Sequence, residues 1–363
     1  MALTRLTLRD FRNHAATRLD GMATFNVLTG ENGAGKTNVL EAISLFAPGR
    51  GLRRAQPSDM AAGQGSGQGA GGFAVAAELE DGALALGTAT APSTPNRRSV
   101  RINGAEGPAT RLAEWLAITW LTPAMDRLFA EGAGARRRFL DRLVLTVDPG
   151  HARLATRYET ALRERNRLLS EPAEPDPIWL DALEAQLAET GAAIATARRA
   201  LVQKLDDAIA DEPEGPFARP VLGYAGETPD DANALAALLR DARRRDRAAG
   251  RTLTGPHRDD LAVTMAAKNA PAALCSTGEQ KAMLISIMLA HAGLGAEDGS
   301  RPRLLLLDEI AAHLDPLRRA ALYARLAASG AQVWMTGTEP APFADLPAPA
   351  AFWHVADGRV ERR

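Results

Sequence analysis

FNVLTGENGAGKTNVLEAISLF, residues 25–46, runs from an apolar strand through a glycine loop into a helix without a break. Strand, glycine loop, helix is the order that a phosphate loop requires. Gly30 to Thr37 fit the pattern G-x-x-x-x-G-K-[ST] in full, and Gly33 and Gly35 let successive N–H groups close on phosphate oxygens. The nucleotide contacts expected from this run are Gly30, Glu31, Asn32, Gly33, Ala34, Gly35, Lys36 and Thr37. Lys36 is expected at the β- and γ-phosphates as a catalytic group, and the Thr37 hydroxyl on Mg2+, so the ligand called for is ATP with Mg2+. The positive end of the following helix strengthens the same anion site.

A phosphate loop works with an acid on a neighbouring strand. RLLLLDEI, residues 303–310, places four leucines before Asp308, as a buried central strand would when it delivers a carboxylate to its tip. Asp308 is expected to hold the metal through water, and Glu309 to orient or deprotonate the attacking water. Further upstream, STGEQK (Ser276 to Lys281) opens a long apolar helix. By itself, Ser followed three residues later by Glu is a capping box. With LLLLDE and AAHLD downstream it reads instead as the signature of ABC-type ATPase heads, which caps the nucleotide of a second head. Ser276 and Gly278 are then expected on the partner's γ-phosphate, and Asp315 in HLDP beside the partner head.

Bulk properties narrow the class. The 363 residues are 46 % apolar and 24 % charged, enough for a substantial core in a chain of more than one domain. A net charge of −1 means that any nucleic-acid binding has to come from local patches. The single cysteine, Cys275, excludes an internal disulfide and suits a reducing cytoplasm. MALTRLTLRDFRNH has charges throughout and no signal-peptide h-region, and no apolar run reaches membrane-span length, so no membrane partner is expected.

The periodicity divides the chain. Alternating strands flank the phosphate loop, GQGSGQGAGG (Gly63 to Gly72) reads as a surface loop, and Asn103-Gly104 supplies a hairpin turn. From about Ala135, apolar residues recur three or four apart: Leu154, Tyr158, Leu162 and Leu169, then Leu180, Leu183, Leu187, Ile194, Leu201 and Leu205. EPAEPDP separates the two stripes, which are too short and interrupted for a long coiled coil. The fold class is therefore α/β, an ABC-type ATPase head with an inserted compact α-helical lobe. Residues 1–124 and 251–363 are expected to form the head, and 125–250 the lobe.

These motifs together resemble the RecF family, bacterial recombination mediators of the SMC-like ABC class. The resemblance runs almost end to end: LRDFRNH (8–14), GENGAGKTNVLEAI (30–43), RRRFLD (136–141), GPHRDDL (255–261), STGEQK, and LLLLDEIAAHLDPLRRAAL (304–322). The chain departs from the family in having no acid after Pro123 and in having Gly134 where proline is preferred. WMTGTE offers Thr338 where transporter-type heads carry a switch histidine. The resemblance implies ATP-dependent homodimerisation, weak DNA-stimulated ATP hydrolysis, and binding to gapped duplex at single-/double-strand junctions. It also implies a RecR partner, help in loading RecA, and a cytoplasmic location. The competing readings are a transporter ATPase subunit and an SMC-type chromosome organiser. In a transporter subunit the loop and signature lie much closer than the roughly 240 residues between Lys36 and Ser276; an organiser needs long heptad arms.

Two arginine clusters are candidate DNA contacts: Arg136, Arg137, Arg138 and Arg142, and Arg243, Arg244, Arg245, Arg247 and Arg251. The competing reading is a solvated face balanced by Asp141, Asp241 and Asp246. The resemblance also places Arg53 and Arg54 where SMC-like heads set an arginine on the nucleotide, and His257 reads as structural.

Overall fold

Every residue of the strand Phe25–Thr29 is buried, as is every residue of Gln332–Gly337 beside it and all but the first of Arg303–Leu307 beyond that. In this computed structural model, which describes residues 3–62, 71–294, 301–311, 314–347 and 349–363, it lies inside a six-stranded sheet. The order is Arg359–Arg362, Ala350–Ala356, Phe25–Thr29, Gln332–Gly337, Arg303–Leu307, Ala117–Leu121, all parallel except the first. Burial on both faces explains why RLLLL and QVWMTG read as continuous apolar runs and not as alternations. The register sets Leu121 beside Leu307, Leu307 beside Met335, and Thr29 beside Gly337. Four strands thus end at one edge, where an open parallel sheet places its ligands.

A second, antiparallel sheet joins His14–Asp20, Leu3–Phe11, Ala74–Leu79, Leu84–Ala91, Thr94–Ile102 and Ala105–Glu106. Its strands alternate, with Leu6, Leu8, Val75, Ala77, Leu86 and Val100 turned inward. These side chains share one core with Val39, Leu40 and Ile43 of the helix Lys36–Ser44 and with Leu306 and Trp334 of the parallel sheet. The phosphate-loop helix is thereby held between two sheets. The Asn103-Gly104 turn has positive φ at both residues (49° and 80°) as expected. The glycine run 63–70 and the Ala-His pair 312–313 lie outside the described residues.

The chain divides into two compact units, 1–125 with 291–363, and 126–290. The second carries the helices Ala133–Val147, His151–Ser170, Pro177–Ala210, Ala232–Asp241 and Arg243–Ala249. Tyr158, Leu187, Ile194, Leu235 and Leu239 fill its core, so the expected stripes do face inward. The division falls at 290 rather than 250, because Asp260–Met265 pairs antiparallel with Pro220–Ala225 inside this second unit. Pro220–Ala225 (PVLGYA) follows a proline- and glycine-rich stretch and is too short to announce itself by periodicity. The helix expected to reach Gly250 breaks at Ala242, and Gly250 ends its second half in the left-handed conformation.

Candidate functional site

The phosphate loop leaves the sheet at Gly30. Its φ is +151°, and a Cβ there would lie 2.1 Å from the Val355 carbonyl oxygen, so only glycine fits. Gly35 is equally confined: a Cβ would come within 2.8 Å of Asn13 and His14. Both residues belong to LRDFRNH, and both brace the loop. Asn13 Nδ2 donates to the Ala34 carbonyl at 2.9 Å, and His14 sits with Nε2 3.1 Å from the Gly35 carbonyl and Nδ1 2.8 Å from that of Gly358. Burial pushes the His14 pKa down, which favours the neutral ring. The sequence offered these two residues only as part of a resemblance. No spacing marked them, because they reach the loop through the tertiary fold.

Lys36 is buried, and its Nζ donates to the carbonyls of Gly30 (2.6 Å) and Glu31 (2.8 Å). Burial lowers its pKa, and the nearby Glu309 and Asp308 oppose that shift. Glu31, Asn32 and Gly33 are exposed at the loop tip, whereas Ala34 and Gly35 are buried.

Thr37, Asp308 and Glu309 meet at the common strand edge. The Thr37 hydroxyl donates to Asp308 Oδ1 at 2.9 Å. A second hydroxyl, that of Thr336, donates to the same oxygen at 2.8 Å and accepts the Glu309 amide at 2.9 Å. Burial raises the Asp308 pKa, and the two hydroxyl bonds hold it back. Glu309 adopts φ +56°, a left-handed conformation costing on the order of 1–2 kcal/mol for a residue with a Cβ. Such strain is maintained only where the surroundings fix it, here through Thr336. Thr336 has no counterpart among the residues singled out in the sequence; Thr338, at the position where transporter-type heads carry a switch histidine, is exposed.

A hydroxyl and a carboxylate oxygen in contact suit Mg2+, which prefers hard oxygen ligands and completes its shell with phosphate and water. No group of three or more His, Cys, Asp or Glu side chains suited to a metal occurs among the described residues. A phosphate-loop site needs none.

Beside the loop, Glu41 is fully buried between two guanidinium groups. Arg12 grips it with two bonds of 2.9 and 2.7 Å, and Arg53 Nη1 with one of 2.9 Å. Arg53 also donates to Asn38 Oδ1 at 2.6 Å. The arginine expected near the nucleotide is therefore anchored to the phosphate-loop helix itself.

Ser276 and Gly278 lie in the second unit, exposed at the start of the helix Thr277–Leu294. The capping box is physically present: Glu279 Oε2 accepts from the Ser276 amide and hydroxyl, both at 3.0 Å, and Ser276 Oγ accepts the Glu279 amide at 3.4 Å. Lys268 bonds the same carboxylate, and with Ser276 it depresses the Glu279 pKa to about 2. Asp315 caps the helix Pro316–Ala328, accepting the Arg318 amide at 2.9 Å.

The arginine clusters are reduced by the structure. Arg136 holds Asp260 with bonds of 2.9 and 2.6 Å, and Arg137 donates to the Asp259 carbonyl at 2.8 Å. Arg243 is tied to Glu184 and Asp181, and Arg247 to the carbonyls of Pro172 and Ala173. His257 is structural as expected, bonded to Tyr158 and to the Thr252 carbonyl.

Known proteins agree with this architecture. The RecF/RecN/SMC N-terminal domain matches residues 2–346. The DNA replication and repair protein RecF of Mesorhizobium japonicum is 49 % identical over 372 residues, covering 99 % of this chain and 97 % of that one. The protein of the same name from Agrobacterium fabrum is 47 % identical over 373 residues, covering 99 % and 98 %. Among solved structures, the recombination mediator RecF–ATP of the RecFOR pathway superposes with a TM-score of 0.81 at 21 % identity, covering 99 % of both chains. An Smc head domain from Pyrococcus furiosus reaches 0.55 at 16 %, covering 100 % of this chain and 96 % of that one. With a family match over most of its length and nearly half its residues identical to RecF proteins across both whole chains, this chain belongs to the RecF family.

Proposed function

We propose that this chain binds ATP with Mg2+ at Gly30–Thr37, Asp308 and Glu309, dimerises on it, and uses that switch to act on DNA at single-strand gaps. The observation that carries the reading is the Thr37–Asp308–Thr336 cluster at the mouth of the phosphate loop, joined to membership of the RecF family. Mg2+, when bound, neutralises charge building up on the γ-phosphate. Lys36 exchanges its two loop carbonyls for phosphate oxygens. Thr37 and Asp308 offer the metal a hydroxyl and, through water, a carboxylate. Glu309, fixed by its amide bond to Thr336, orients and deprotonates the attacking water.

One head supplies donors to only one side of the γ-phosphate. Ser276 and Gly278 of a second copy supply the other, and exposure of both residues leaves them accessible to it. Hydrolysis is slow and acts as a timer for the dimer. The names of the relatives support a role in DNA replication and repair, and the resemblance extends it to RecR and to RecA loading.

A mixing experiment tests the composite site. Ser276→Arg is expected to bind ATP as a monomer but not to dimerise, and Lys36→Ala not to bind ATP. Their mixture rebuilds one intact site, so hydrolysis should partly recover. Glu309→Gln should instead accumulate ATP-bound dimer in sedimentation. Failure of the mixture to recover despite confirmed pairing, or loss of monomer ATP binding in Ser276→Arg, removes the trans assignment and leaves Ser276 as a helix cap.

A further inference from the structure

The segment 243–260, RRRDRAAGRTLTGPHRDD, looks electrically mixed, with six arginines against three aspartates. Folding separates the two signs. Asp246 is fully buried, accepting from Arg165 Nη1 at 2.7 Å and from the Leu253 amide at 3.1 Å. Asp259 accepts the Tyr224 hydroxyl at 2.6 Å, and Asp260 is held by Arg136. Asp141, a possible balance from outside the segment, is taken by Arg198 and His151. All three acids of the segment are therefore satisfied inward.

The arginines divide differently. Arg243 and Arg247 are engaged as described above. Arg244, Arg245, Arg251 and Arg258 are exposed, and none forms an ion pair among the described residues; Arg245 donates only to the Thr254 hydroxyl, at 3.0 Å. Asp241, the remaining acid set against this cluster, is exposed just ahead of it, so four exposed arginines stand against one exposed acid and the surface is cationic.

Arg258 stands on a rigid support. Its amide closes a turn onto the Gly255 carbonyl at 2.8 Å, and Gly255 has φ +126° with a Cβ position only 2.5 Å from the Tyr158 hydroxyl. The carbonyls of Pro256 and Asp259 are taken by Arg198 and Arg137, at 2.7 and 2.8 Å. His257 is clamped at both ring nitrogens. Arg137 is pushed below its usual pKa by burial first and then by repulsion from Arg198 and Arg258. A cation held over other cations by such a loop is stabilised by an external anion.

We infer that Arg244, Arg245, Arg251 and Arg258 form a docking surface for the phosphodiester backbone of duplex DNA, with Arg258 as its fixed point. The inference rests on the DNA-binding reading given above and assigns it a place. Duplex is favoured over single strand because residues 243–260 contain no Phe, Tyr or Trp on which unpaired bases could stack, and the His257 ring is held at both nitrogens.

The test is fluorescence anisotropy of a labelled duplex, and of its single strand, over a sodium chloride series with ATP present. Each Arg→Ala change should reduce the steepness of log K against log salt by about 0.9, and the fourfold variant by about 3–4. Arg258→Lys should retain the wild-type slope. A wild-type helical circular-dichroism spectrum and thermal melt report that the unit carrying each substitution is folded. If the wild type binds duplex and the fourfold variant keeps its slope, or if the loss is confined to the single strand, this surface is not the docking site. If the wild type binds no DNA in any nucleotide state, the DNA-binding reading itself falls.

Discussion

Replacing Thr336 by Val keeps the shape of the side chain and removes only the hydroxyl. That hydroxyl is buried and makes two bonds, donating to Asp308 Oδ1 at 2.8 Å and accepting from the Glu309 amide at 2.9 Å. A bond to a charged group contributes about 1.5–3 kcal/mol and a neutral one about 0.5–1.5. Asp308 keeps Thr37 as a donor, so the combined loss should be about 2–4 kcal/mol. Urea denaturation without nucleotide is the suitable assay, because bound ligand adds its own stabilisation. Thr336→Ser should recover most of the loss, and Thr338→Val, at an exposed position, should stay within about 0.5 kcal/mol of wild type. Hydrolysis by Thr336→Val should fall more than its ATP affinity, because Glu309 loses the bond that fixes it while Lys36 is untouched. Equal destabilisation by the two valine variants, or none by Thr336→Val, would refute the placement of Thr336 as the link between the two acids.

Gly30→Ala should abolish ATP binding in a fluorescent-nucleotide titration, because its methyl meets backbone at 2.1 Å; Gly33→Ala meets nothing within 4 Å and should lose only about tenfold from strain at φ +83°. A milder effect at Gly30 than at Gly33 would contradict this. Arg12→Met leaves the buried Glu41 with Arg53 alone and should cost about 3–5 kcal/mol in thermal or urea melts, while an effect below 1 kcal/mol would mean that Arg53 suffices. Asp141 is a pH probe. Burial alone would raise its pKa, but His151 and Arg198 bring it down to about 2. Its folded value lies below the unfolded one, near 3.9, so its contribution is complete above about pH 4 and disappears as pH falls through 2. The stability gap between wild type and Asp141→Asn should therefore narrow from pH 5 to pH 2; a constant gap would deny the shift.

The local chemistry of the nucleotide loop was determined by sequence alone. Gly30 to Thr37 must be a phosphate loop because strand, glycine spacing, lysine and hydroxyl are contiguous, and RLLLLDE must be a central strand because burial on both faces demands an unbroken apolar run. The helical stripes from Leu154 to Leu205 were legible for the same reason, since their period is a property of neighbours in the chain. What the tertiary structure decided is every pairing across long separations. Thr336 reaches Asp308 and Thr338 does not because the strand Gln332–Gly337 ends between them, and nothing within WMTGTE fixes where the pairing stops. Asn13 and His14 reach the phosphate loop only once two sheets enclose its helix. The short strand Pro220–Ala225 exists because Asp260–Met265 pairs with it, which extends the second unit to residue 290. The arginine-rich segment shows the same limit in charge: a sequence counts acids and bases equally, whereas folding buries Asp246 and leaves Arg258 in water.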